Sequence, residues 1–334
     1  MGKLTFGYIY DFRNPPQWEK PWAERYGEIL DVIAWTEQAG FGGAWIPEHH
    51  LASDGYMPSP LIALAAIADR TERITIGSGI ALAPLYNPVR FATDCAVLDI
   101  LAGGRLEMGL AIGYRRREAA AFGVDFTKRG RMFDEWLEIV TRLWASETVD
   151  FESEYYRFSG AKVMPPPPRG HIPLFLGGFA GKTVDRIVRF GDGYLGTEEV
   201  CVAYVDKLRE LGRDADNAKV RITGVTTVVA DDPEAAMAEL APYFLHVNNS
   251  YGEWFQEDKV HDDGHAMKPM SIEEFKASGT LQILTPDSAI SMLKDLQAKM
   301  PLDHYMMSMP PGLPAERFVY YADTFAKKVM PAFA

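Results

Sequence analysis

Leu106-Glu107-Met108-Gly109-Leu110-Ala111-Ile112 alternates between bulky apolar side chains and small or charged ones. That period of two marks a β-strand with two unlike faces. If the strand belongs to a barrel, Leu106, Met108, Leu110 and Ile112 pack under helices and the other set faces the lumen. Gly109 and Ala111 would then leave room near the C-terminal end of the strand. Glu107 would point inward near the bottom, where it needs a partner that the sequence does not name.

Seven further segments read as strands: Leu4–Ile9, Gly43–Pro47, Ile74–Leu82, Ile172–Gly177, Gly193–Gly196, Arg221–Val229 and His304–Met309. Between them run helical stripes. Tyr26, Ile29, Leu30 and Ile33 form one, closed by Gly40; Phe133, Trp136, Leu137, Val140 and Trp144 form another; Phe318, Ala322, Phe325 and Val329 form the last. Strands alternating with helices imply an α/β fold with parallel pairing. Eight units predict a closed (β/α)8 TIM barrel, with residues 1–334 as a single domain. Thr148 to Ser159 reads as a short hairpin, and Pro165–Pro168 as a stiff extended spacer. Residues 248–284 are polar and weakly periodic, which predicts a lid or insertion over the barrel mouth.

Composition narrows the function. The 334 residues are 47% hydrophobic and 24% charged, with a formal net charge of −12. An acidic chain without a basic run repels phosphate backbones, so a nucleic-acid partner is not expected. The longest apolar run, Leu61 to Ala68, is too short for a bilayer, so no membrane partner is expected. Met1-Gly2-Lys3-Leu4 leads straight into a strand without a signal-peptide pattern, which gives a cytoplasmic expectation. Cys95 and Cys201 lie far apart and read as buried thiols, not as a disulfide or zinc pair.

Several constellations fall where barrels place their chemistry, at the C-terminal ends of strands. Glu48-His49-His50 follows the second strand and offers acid or base groups, or alternatively a histidine pair bracing the next loop. Gly77-Ser78-Gly79-Ile80-Ala81 ends the third strand, where small residues let a flat ring approach the backbone or simply pack the wall. Gly177-Gly178-Phe179-Ala180-Gly181-Lys182-Thr183 opens a helix after the fifth strand. It supplies backbone N–H groups for a phosphate, or forms a tight turn; its spacing does not match a triphosphate P-loop. Arg105 reads as a structural salt bridge, and Arg115, Arg116 and Arg117 as a solvated face. Arg129 and Arg131 stand at a helix start. His261-Asp262-Asp263-Gly264-His265 has the residue types of a metal site without a supporting ligand set, so no metal is expected.

Taken in order, these segments resemble the bacterial luciferase-like flavin-dependent monooxygenases. The resemblance rests on Glu48-His49-His50, Pro84-Leu85-Tyr86-Asn87-Pro88-Val89-Arg90, Leu98-Asp99 through Gly103-Gly104-Arg105-Leu106, and Gly113-Tyr114. It continues through Ala121-Phe122-Gly123-Val124-Asp125, Pro173 to Gly178, Gly191-Asp192-Gly193-Tyr194 and the Phe325 to Pro331 helix. It implies reduced FMN and O2 reacting through a C4a-peroxyflavin to oxygenate an aldehyde, ketone, terpene or other hydrophobic small molecule. It also implies a separate flavin reductase and a homodimer. His49 would be the catalytic group, supported by His50 and Glu48. Ser78, Gly79 and Ile80 would lie beneath the flavin ring, with a non-prolyl cis peptide at Gly79–Ile80. Ala111 would border the flavin, and Tyr114 would meet the ring's edge or the substrate. Gly177, Gly178, Phe179 and Ala180 would meet the phosphate, with Arg131 as charged partner. Phe12, Tyr56, Phe179 and Trp254 are the pocket candidates.

The chain departs from the luciferase α pattern at Ala111 and Ile112, which stand where those chains carry a reactive cysteine and a phosphate-binding arginine. Phosphate contacts would fall to Arg131 or Lys182, and light emission is not expected. Two other readings stay open: an F420-dependent hydride-transfer enzyme of the same fold, and a non-catalytic flavin-binding partner subunit.

Overall fold

The computed structural model describes residues 3–179, 181–258 and 267–334. In chain order the elements are β1 (Thr5–Tyr10), α1 (Trp22–Gln38), β2 (Gly43–Ile46), α2 (Pro60–Arg70), β3 (Thr75–Leu82), α3 (Pro88–Leu101), β4 (Leu106–Ala111), α4 (Arg116–Ala121) and α5 (Arg129–Trp144). There follow β5 (Val149–Glu152), β6 (Arg157–Ala161), β7 (Leu174–Leu176), α6 (Lys182–Phe190), β8 (Gly193–Gly196), α7 (Glu198–Glu210), β9 (Lys219–Thr223) and β10 (Thr227–Val229). The chain ends with α8 (Pro233–Glu257), α9 (Ile272–Ala277), β11 (Gln282–Leu284), α10 (Pro286–Lys299), β12 (Leu302–Met309) and α11 (Ala315–Lys328).

Eight parallel strands close a barrel in the order β1-β12-β9-β8-β7-β4-β3-β2. The expected TIM barrel is present. Closure follows from β1 pairing with both β12 and β2, with Gly7 opposite Met306 and Gly43. The alternation in β4 works as its sequence implies: Leu106, Met108 and Leu110 are fully buried in the layer shared with the helices. The helices carry their own signals. Asn87 caps α3 by accepting from the N–H groups of Val89 and Arg90, and Pro88 fills the first turn, where its missing N–H costs nothing. The hairpin β5–β6 lies outside the barrel, as expected.

Inside, the floor is polar. Glu107 finds its partner in Arg221 of β9, which also pairs with Asp303 and lies 3.5 Å over the Phe175 ring. Trp45 Nε1 donates to His304 Nε2 at 3.0 Å. The His304 proton therefore sits on Nδ1, 2.7 Å from Thr5 Oγ1, and burial together with Arg221 holds the ring well below its usual pKa. Above the floor Ile9, Trp45, Phe175, Leu195 and Met306 fill the lumen.

Two expectations need correction, and a third segment is more regular than its polarity implies. Arg221–Val229 is not one strand: β9 stops at Thr223, and β10 leaves the barrel to pair with β11. The break falls at Gly224, where any Cβ would collide with the ring and hydroxyl of Tyr305. Residues 248–284 are not uniformly irregular, because their first ten positions finish the 25-residue α8. Their polar side chains hold the returning chain: Asn248 donates to Lys268 O, and Asn249 exchanges two hydrogen bonds with Met270. These polar residues and Gly252 dilute the short apolar stripe of Tyr251, Trp254 and Phe255 that the helix carries. Finally, the room expected beside Gly109 is not open, nor is the space beside Gly177. Ile80 fills both, since Cβ atoms there would lie 2.8 Å from its Cγ2 and 2.7 Å from its Cδ1.

Candidate active site

His49 follows β2 at the C-terminal face of the barrel and is buried. Its Nδ1 lies 2.9 Å from Glu118 Oε1. An ionised carboxylate only accepts, so Nδ1 carries a proton, and in the neutral form of the ring Nε2 keeps its lone pair. Burial pushes the Glu118 carboxyl up. The hydrogen bond and charge of His49, the His50 N–H and Arg115 outweigh that and hold it below its ordinary value. Four rings surround the imidazole: Tyr56 at 4.9 Å, Trp254 at 5.0 Å, Tyr114 at 5.5 Å and Tyr251 at 5.6 Å. Tyr251 and Trp254 come from the last turns of α8, which lie against this end of the barrel.

Glu48 and His50 turn the other way, as neighbours on an extended chain must. His50 Nε2 lies 2.7 Å from Glu48 Oε1, and Glu48 also accepts from Leu82 N and Tyr86 Oη, each at 2.7 Å. His50 packs on Phe122 at 4.5 Å. These two residues clamp the loop to β3, while His49 alone of the three faces the cage.

The remaining expected residues are spread around the mouth. Gly79–Ile80 is a cis peptide within β3, and Ile80 is half-buried over the lumen. Ser78 is fully buried and its hydroxyl donates to Gly109 O at 2.7 Å, so it serves the wall. Ala111 is buried at the end of β4. The Tyr114 hydroxyl is enclosed without a hydrogen-bond partner among the described residues. Gly177 and Gly178 lead to α6, whose N-cap position, Gly181, gives the helix no side-chain cap. Phe179 is exposed, and Ala180 lies outside the described residues, as does the His261 to His265 motif. Arg131 is exposed, and its charge acts on Glu154 and Tyr155 of the hairpin. Arg186 ties α6 to α5 through Asp134 and Gly130 O. Among the described residues no cluster of three or more His, Cys, Asp or Glu could hold a metal.

Phe12 packs on Tyr26 of α1 and not in the cage. The arginine triplet is not a solvated face throughout. Arg115 is buried, stacks 4.4 Å over Trp254, donates to His50 O and pairs with Glu118, Glu257 and Asp258. Arg105 binds carbonyls of Ala68, Thr71 and Ile74 and the Thr71 hydroxyl, and not a carboxylate. Sequence reasoning missed Glu118, Tyr251, Arg13, Asp54 and His246. None lies in a recognisable motif. The one legible signal was an acidic residue following three arginines.

Both cysteines are free and buried, and among the described residues no helix is long and apolar enough to cross a membrane.

Comparison with known proteins places the chain in a family. The family model for luciferase-like monooxygenases matches residues 4–285. The oxygenase component of the flavin-dependent trigonelline monooxygenase of Acinetobacter baylyi is 24% identical, over 92% of this chain and 90% of that protein. The F420-dependent glucose-6-phosphate dehydrogenase of Nocardia farcinica is 28% identical, over 99% of this chain and 98% of that protein. The crystal structure of the monooxygenase RslO1 from Streptomyces bottropensis superposes with a TM-score of 0.85 at 21% identity, covering 99% of this chain and all of that one, a likeness of fold. The chain belongs to the luciferase-like monooxygenase family and is an enzyme of that family.

Proposed function

We propose that the protein is an FMN-dependent monooxygenase that oxygenates a hydrophobic small molecule such as an aldehyde, ketone or terpene. The observation that carries this reading is the His49–Glu118 pair enclosed by four aromatic rings at the barrel mouth. When bound, reduced FMN would supply the electrons that activate O2. The mouth fits such a group: Ile80 offers an apolar seat, the uncapped start of α6 beyond Gly177 and Gly178 suits a phosphate, and the Tyr114 hydroxyl lacks a partner among the described residues.

The chain's own residues then have separable tasks. His49 accepts or returns a proton through Nε2, and Glu118 fixes the imidazole in the tautomer that leaves this atom free. Tyr56, Tyr251 and Trp254 exclude water, so α8 acts as part of a lid. Glu48 and His50 position the loop that carries His49. Arg115 holds the end of α8 in place. Lys182 is the nearest cation in sequence to the glycine loop.

The relative named as an oxygenase component supports a separate flavin reductase as the source of reduced flavin. Exposed Ile62 on α2 and Val97, Ile100 and Leu101 on α3, two helices that pack together, support a homodimer. The test is anaerobic loading with reduced FMN followed by an O2 pulse with candidate aldehydes, ketones and terpenes. The reading expects oxygenated product in step with O2 consumed; hydrogen peroxide alone from every candidate contradicts it. The F420-dependent relative favours a second reading, hydride transfer with F420 at the same mouth.

A further inference from the structure

Behind the cage lies a second buried cluster that the proton chemistry of His49 does not use. The Arg13 side chain is 1% exposed. Its Nε donates to Asp54 Oδ2 at 2.7 Å, and its Nη2 lies 2.7 Å from the same oxygen, 2.6 Å from Ser250 Oγ and 3.1 Å from His246 Nε2. His246 Nε2 is itself 2.7 Å from Asp54 Oδ2. One edge of the guanidinium is thus fully committed. The other nitrogen, Nη1, is buried and has no hydrogen-bond partner among the described residues. A buried donor without an acceptor is costly, and a bound molecule that supplies the acceptor recovers that cost.

The position of this donor says what the molecule meets. The guanidinium carbon lies 5.1 Å from the Tyr56 ring centre and 5.8 Å from that of Trp254. Those same rings contact His49 at 4.9 and 5.0 Å. Ser250 and His246 stand on α8 one and two turns before Trp254. The guanidinium that carries the unpaired nitrogen therefore packs on two of the rings that wall the cage. Charge says what kind of acceptor it takes. Asp11 and Asp54 both act electrostatically on Arg13, so its positive charge is already matched. A carboxylate entering here would add a third negative group to a buried cluster. A neutral oxygen would not.

We propose that Arg13 selects a substrate bearing a neutral oxygen acceptor, a ring carbonyl or phenolic oxygen, and turns it so that its ring lies against the aromatic cage of Tyr56, Trp254 and His49. This rests on the reading of the cage as the substrate site. Arg13 is then a specificity residue that acts in binding, while His49 handles the proton.

The experiment is equilibrium calorimetry with three probes of one size: acetophenone, ethylbenzene and benzoate. Each is titrated anaerobically with and without reduced FMN. The wild-type protein should bind acetophenone about tenfold more tightly than ethylbenzene, as expected for a hydrogen bond from a charged donor, and benzoate most weakly. Arg13→Lys keeps a charge for Asp54 but removes Nη1. In that variant the preference for acetophenone should fall to within about twofold, with ethylbenzene affinity kept. Benzoate as the tightest probe, equal binding of acetophenone and ethylbenzene, no binding of any probe, or an unchanged preference in Arg13→Lys each overturns the proposal. The wild-type ranking decides it even where the variant does not fold. Failure of reduced FMN to bind, with the probe ranking as expected, removes the flavin reading and leaves this one standing.

Discussion

His49 Nδ1 and Glu118 Oε1 lie 2.9 Å apart although 69 positions separate them in the chain. The barrel delivers the histidine from the end of β2 and the carboxylate from the short helix after β4. Neither residue has this meaning alone. Together they define one tautomer and leave one nitrogen free for chemistry.

Replacing His49 by alanine should remove product formation while leaving flavin binding largely intact. General acid–base catalysis contributes about 10²- to 10⁴-fold, so coupled turnover should fall by that order. Product formed per O2 consumed is the readout, alongside an anaerobic titration of reduced FMN. Unchanged coupled turnover takes His49 out of the mechanism.

Glu118→Gln should lower kcat more than it raises KM, because an amide can hold the ring but cannot balance a protonated imidazole. It should also change how stability depends on pH. The folded carboxyl sits below its ordinary 4.5, mainly through His49 once burial is overcome. The stability it contributes is present above 4.5 and lost as pH falls through the folded value. Urea unfolding of both proteins should show a gap at neutral pH that closes toward acid. A gap that widens toward acid contradicts the assignment.

Asp11 carries the opposite sign. Burial, only partly offset by Arg13, pushes its carboxyl from 3.8 up to about 6. The folded state then holds the proton more tightly, so this contribution is full below the ordinary value and is lost as pH rises through about 6. The stability of the native protein relative to Asp11→Asn should decline over that interval. A difference that stays flat removes Asp11 as a titrating group.

Gly109→Ala should disturb the seat beneath the cage. Its Cβ would run into the Ser78 carbonyl oxygen and fall 2.8 Å from Ile80 Cγ2, so the β3 backbone and Ile80 must both give way. Overpacking of this kind costs about 1–3 kcal/mol, and reduced-FMN affinity should fall with it. Loss of stability at unchanged affinity would separate Ile80 from the flavin seat.

Arg115→Met should loosen the end of α8. Arg115 joins Trp254, Asp258, Glu118 and the His50 carbonyl, and Asp258 accepts from the N–H groups of Arg116 and Arg117. Removing one partner of a buried charge pair costs about 3–5 kcal/mol. Hydrogen exchange should quicken across residues 251–258 before the barrel strands respond. Uniform loss of protection across the barrel contradicts a local latch.

The strands were legible because side-chain alternation and small residues at strand ends are local properties. Leu106 to Ile112 is enough to separate the helix layer from the lumen and to strand Glu107 on the inner floor. Its partner Arg221 was not legible, because a pair 114 positions apart leaves no local trace. His49 was readable from its place after a strand, and the cis peptide at Gly79–Ile80 from resemblance. Glu118 and Arg13 were not, since a buried charge looks like a surface charge until its neighbours are known. The end of α8 was missed for a related reason. Asn248 and Asn249 face backbone, and polar residues used in this way imitate a loop.

Equilibrium titration with reduced FMN and with F420 under anaerobic conditions tests the central claim most directly. The account expects saturable binding of reduced FMN that is tighter than that of F420 and is retained by His49→Ala. Tight binding of F420 with no uptake of reduced FMN would contradict it.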